Sequence, residues 1–111
     1  MSRPVSAVEP LMPIAAASGG FEQISVGTSA ATLTASLTAG IPDDARHAIF
    51  YPETQNVRWR ADGTAPTATV GIVMEKDQLH VYEDQRTIFD RMKLISASAS
   101  SAATLNVHFF K

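Results

Sequence analysis

The stretch Asn56–Val73, NVRWRADGTAPTATVGIV, carries the pattern from which the fold class is read. Val57 and Trp59 alternate with Arg58 and Arg60. A period of two places one set on the buried face of a strand and the other on its wet face. Asp62-Gly63 follows, a dipeptide that tolerates positive φ and reverses the chain. Pro66 lacks the N–H that a central-strand ladder needs at its position, and Val70, Ile72 and Val73 resume an apolar run. The segment therefore reads as strand, elaborate turn, strand. Trp59 is expected inward as a core anchor, with Arg58 and Arg60 outward and free to meet acidic groups of a partner.

The flanking sequence repeats the same period. Phe21–Val26 reads as a first strand. In Ala30–Thr38, Leu33, Ala35 and Leu37 alternate with Thr32, Thr34, Ser36 and Thr38, the pattern of an antiparallel strand with one wet face. His47–Tyr51 gives a strand closed by Pro52, and at Leu79–Tyr82 Leu79 and Val81 alternate with His80 and Tyr82. Ile88, Met92 and Ile95 have helix-like spacing, yet Lys93–Ala97 reads as a strand preceded by a short turn. Ser96–Ala103 is a low-complexity Ala/Ser loop. Thr104–Phe110 closes the chain, with Leu105, Val107 and Phe109 set against Asn106 and His108. Short strands at intervals of about ten residues, without αβ alternation or longer repeats, imply an all-β antiparallel sandwich or jelly roll.

At 111 residues there is room for one domain, able to bury roughly 65% of its unfolded surface. The expected division is an extended N-terminal arm over residues 1–20 and a β-sandwich over 21–111. The arm carries Pro4, Pro10 and Pro13, which favour extended backbone. Val5, Val8, Leu11, Met12 and Ile14 make it too apolar for a solvated tail. Those five residues, with Arg58 and Arg60, are the candidate partner interface.

A net charge of −2 provides no electrostatic footprint for nucleic acid or an anionic membrane. The chain has no cysteine, which excludes disulfides and thiolate metal sites. No apolar run approaches the roughly 20 residues of a spanning helix. Ala15-Ala16-Ala17-Ser18 has the small residues of a signal-peptidase site, but the three prolines and Glu9 break the apolar stretch before it. The expectation is a soluble intracellular product.

No catalytic residue, cofactor or metal site is expected from the residues and their spacing. His47, His80 and His108 lie far apart and show no metal-binding spacing. Asp43-Asp44 and Glu83-Asp84 fall in turns, where carboxylates cap local backbone, and the offsets of a calcium loop are missing. No nucleophile elbow, phosphate loop or dinucleotide fingerprint occurs. Trp59 and Tyr82 could form a platform for stacking sugars, which would make the chain a carbohydrate-binding module.

VRWRADGTAPTATVGIVM, with its D-G-T-x-P-T turn at Asp62–Thr67, the strand near Leu79, the MKLIS run and the closing ATLNVHFF, resembles a recurrent pattern of small virion proteins of tailed phages. The likeness covers about Asn56–Phe110. Together with the apolar arm, the whole chain is similar to the capsid decoration, or staple, proteins of epsilon-fifteen-type short-tailed bacteriophages. That resemblance implies a non-enzymatic jelly-roll subunit on the outer surface of an icosahedral virion, made in the bacterial cytoplasm. It also implies pairing as a homodimer about local two-fold axes and contact with the major capsid protein. Related turn motifs occur in tail and neck proteins, so a tail or neck position is the alternative.

Overall fold

A computed structural model describes residues 16–111. Among these residues there are eight strands: β1 (Ala16–Val26), β2 (Ala31–Thr32), β3 (His47–Glu53), β4 (Val57–Arg60), β5 (Ile72–Met74), β6 (His80–Tyr82), β7 (Lys93–Ser96) and β8 (Ala103–Phe110). Two short helices, α1 (Leu33–Ser36) and α2 (Arg86–Arg91), precede the middle loop and β7 respectively. The strands form two four-stranded sheets, ordered β1-β8-β3-β6 and β2-β7-β4-β5, with every recorded pairing antiparallel. The pairs 1·8, 2·7, 3·6 and 4·5 are those of one long hairpin wound over on itself. This is the jelly-roll form of the expected sandwich.

Alternation along the strands builds the core. Phe50, Leu105, Val107 and Phe109 of the first sheet face Val57, Trp59, Met74 and Leu94 of the second, all buried. Phe89 of α2 enters between them, and its ring lies edge-on to both Phe50 (6.0 Å between centroids) and Phe109 (5.9 Å). Such edge-to-face pairs add about 0.5–1.5 kcal/mol each beyond their burial.

Four local outcomes differ from the sequence reading. The run at Ala30–Thr38 is not one strand: only Ala31–Thr32 pairs, and Leu33–Ser36 turns into α1. Leu33 and Leu37, four residues apart, are both buried while Ala35 is exposed, so the spacing belongs to a helical turn. Thr32 caps that turn, its hydroxyl accepting from the Ala35 N–H at 3.1 Å. The short turn before β7 is likewise helical, with Phe89 of α2 and the following Met92 buried.

Pro52 does not end β3, which continues to Glu53. Its carbonyl accepts from the Asp77 N–H at 2.7 Å. The missing Pro52 donor therefore faces the side where β6 has already ended, and the β8 ladder needs nothing from it. Finally, β1 begins at Ala16, five residues before the expected start of the sandwich, with an irregularity between Ala16 and Phe21.

Candidate interaction surface

The candidate residues Val5, Val8, Leu11, Met12 and Ile14 lie outside the described residues. Arg58 and Arg60 lie within them, and both guanidiniums are already engaged inside the chain. Arg58 Nε donates to the Ala68 carbonyl at 3.0 Å and Nη1 to the Gly71 carbonyl at 2.9 Å. It thereby clamps the Ala61–Gly71 loop back over the outer face of its own sheet, above Ile95 on β7, which pairs with it in register. Gly71, at φ +141°, is where the loop comes closest: an added Cβ would meet Pro66 Cβ at 3.1 Å and Arg58 Cβ at 3.2 Å.

Arg60 forms a two-pronged pair with Asp62 through Nε and Nη2. The hydrogen bond from Arg60 holds the Asp62 carboxyl below the usual carboxylate range, and the same bond raises the guanidinium. The expectation that these arginines stand free for a partner is therefore corrected. A fixed fork of N–H donors two to thirteen residues from carbonyls and a carboxylate of the following loop closes on them first.

The other candidates for chemistry are also taken up structurally. Trp59 is 6% exposed, and its indole N–H donates to the Tyr82 hydroxyl at 3.1 Å. Burial pushes the Tyr82 phenol above its ordinary value, with the Trp59 bond opposing. The pair that might have stacked sugars is turned toward the core. His47 accepts at Nδ1 from the Asp84 N–H at 3.0 Å, His80 Nε2 sits 3.1 Å from the Glu75 carbonyl, and His108 lies between Phe21 and Phe110.

Asp84 pairs with Arg46 at 2.8 Å, which lowers its carboxyl. Arg86 Nη1 gathers the carbonyls of Pro42, Asp43 and Ala45 around the Asp43-Asp44 turn. Among the described residues no group of three or more His, Asp or Glu side chains could hold a metal ion. No helix among them is long and apolar enough to cross a membrane.

Several large apolar side chains are nevertheless left exposed. On the outer face of β1-β8-β3-β6, Phe21, His108, Ile49 and Val81 stand in one cross-strand row, fixed by the pairs Phe21↔His108, Ile49↔His108 and Ile49↔Val81. Leu79 and Tyr51 lie beside them, and with Phe21, Ile49, Asn106 and His108 they line a groove of about 250 Å³. Phe21 is 60% exposed, Leu79 60% and Val81 43%. A second open cleft, about 520 Å³, lies against the Arg60–Asp62 turn beside Val70 and Ile72.

Sequence reading missed the first surface because alternation shows two faces without saying which is inside. In β6 the inward side is Tyr82 and His80, both half-buried and opposite Ala48 and Phe50, so Val81, and Leu79 just before the strand, face outward. The signal that could have found it was the adjacency of β6 to β3, and no local residue encodes that.

No protein-family profile matches the chain, and neither a curated protein nor a solved structure is significantly similar to it.

Proposed function

We propose that this chain is a non-enzymatic virion structural protein that binds the outer surface of an icosahedral phage capsid and staples neighbouring major capsid proteins. The observation that carries the reading is the apolar row Phe21–His108–Ile49–Val81, left open on a domain whose Arg58, Arg60, His47 and Trp59 are bonded internally. Contiguous exposed apolar residues on a folded domain mark a place where another protein sits. Aromatic and aliphatic side chains presented on a rigid sheet lose little conformational freedom when covered, which suits them as anchors. The sequence resemblance supplies the partner, the major capsid protein. The jelly-roll winding is compatible with it, as a fold shared by capsid proteins, lectins and other families.

A staple has to hold through many modest contacts made at once, so its surface should serve contact area and leave charge chemistry aside. The test is co-sedimentation with capsids lacking the protein, comparing wild type with a Phe21→Ser/Leu79→Ser/Val81→Ser variant. The three positions are exposed, so the melting temperature should hold while binding weakens by a factor of ten or more, about 1.4 kcal/mol. Copy number in purified virions, read by gel densitometry, separates the placements: hundreds per particle for decoration, about a dozen for a tail or neck ring. Unchanged capsid binding by the triple variant, or a copy number near a dozen, would overturn the proposal.

A further inference from the structure

Sheet edges are templates for pairing, and proteins commonly blunt them by making edge strands short or charged. Three of the four edges here are short: β2 spans 2 residues, β5 spans 3 and β6 spans 3. The fourth, β1, spans 11 residues, and Phe21–Val26 pairs regularly with β8 on one side only. Among the described residues, no backbone group of Phe21–Val26 bonds to anything outside that ladder. The strand contains no proline, and its one charged residue, Glu22, points away from the outer face. The Glu22 carboxylate accepts from the Thr38 N–H at 3.0 Å and from the Thr38 hydroxyl at 2.7 Å, so its charge is occupied at the mouth of the sandwich.

We infer that β1 is the dimer edge: two copies pair β1 against β1 antiparallel about a two-fold axis, joining their four-stranded sheets into one of eight strands. Only an extended strand can supply the donors and acceptors this edge lacks, and a second β1 is a good one. Phe21, Gln23 and Ser25 alternate with Glu22, Ile24 and Val26, so the same faces meet across the axis. Every register except one centred on Glu22 keeps the two carboxylates from standing opposite each other.

The geometry has a consequence for the apolar row. The axis of an antiparallel strand pair runs perpendicular to the sheet, so both outer faces end on the same side. The row Val81–Ile49–His108–Phe21 of each copy then lies on one continuous outer surface, with the two Phe21 ends toward the axis. With strands about 4.8 Å apart, the platform is roughly 34 Å wide. A protein bridging two neighbours about a shell two-fold needs this arrangement, with one identical patch per neighbour and both facing down. The inference deepens the two-fold pairing implied by the capsid reading, yet it stands on the edge strand and is tested on free protein.

The experiment compares wild type with Gln23→Lys/Ser25→Lys, both positions exposed on β1, by sedimentation velocity and by hydrogen exchange of individual amides. Wild type should sediment at twice 11.9 kDa and the variant at 11.9 kDa with an unchanged far-ultraviolet spectrum. Exchange adds the decisive pattern. In the dimer every amide from Glu22 to Val26 is protected, whereas a free edge leaves every second amide fast. A monomeric wild type, a dimeric lysine variant, or a wild-type dimer in which alternate β1 amides still exchange fast would each overturn the inference. None of these results bears on whether capsids are bound, which the co-sedimentation experiment measures separately.

Discussion

Replacing Arg58 by alanine separates an internal clamp from a partner contact. The side chain is half-buried and makes two hydrogen bonds, to the carbonyls of Ala68 and Gly71 at 3.0 and 2.9 Å. Hydrogen bonds from a charged donor contribute about 1.5–3 kcal/mol each, and partial exposure argues for the lower end. Arg58→Ala should therefore cost about 3 kcal/mol, a large fraction of the 5–15 kcal/mol typical of a domain. At roughly 4 °C per kcal/mol for a chain of this size, the melting temperature falls by about 12 °C. Lysine restores charge without the fork and can reach one carbonyl at a time, so Arg58→Lys should recover about half of the loss.

Urea unfolding followed through Trp59 fluorescence gives the free energies directly, since Trp59 is the only tryptophan and is buried. If Arg58→Ala left the midpoint in place while abolishing capsid binding, the clamp would be refuted. The arginine would then belong to the partner surface expected from the sequence.

Two further perturbations test the same architecture. Gly71→Ala and Gly63→Ala both force alanine to positive φ, but only at Gly71 does the new Cβ meet neighbours, at 3.1–3.2 Å, while Gly63 has none within 4 Å. Gly63→Ala should thus cost about 1 kcal/mol in thermal unfolding and Gly71→Ala clearly more, about 2–4 kcal/mol; equal costs would mean the loop does not press on Arg58. Burial raises the Tyr82 phenol above its ordinary value near 10. The unfolded chain therefore ionises first as the solution becomes alkaline. This contribution is complete below the unfolded pKa, falls as pH rises above it, and is gone once pH passes the folded pKa. Tyr82→Phe should remove that part of the alkaline stability loss. At neutral pH it should cost about 1–2 kcal/mol for the orphaned Trp59 N–H, measured by denaturant melts at pH 7 and pH 10.5.

Much of the fold is written in local pattern. Strand alternation at Val57–Arg60 and at Ala103–Phe110, the Asp62-Gly63 reversal and the spacing of short strands all specify an antiparallel all-β domain, because each rests on neighbours two residues apart. Leu33 and Leu37 mark where that logic gives out. A separation of four fits two turns of alternation or one turn of helix, and the small residues between them do not break the tie.

The working surface lies further still from the sequence. Val57-Trp59 and Leu79-Val81 show the same local signature, yet the first pair faces the core and the second faces water. Which parity is buried is set by the strand next door and by the sheet opposite. Arg58 and Arg60 show the same dependence: their charge was legible, but not the carbonyls and carboxylate that occupy it. Sequence alone determined the alphabet of this domain, its strands and turns. Tertiary structure decided the direction each face looks, because burial belongs to the contact between elements and no single strand contains it.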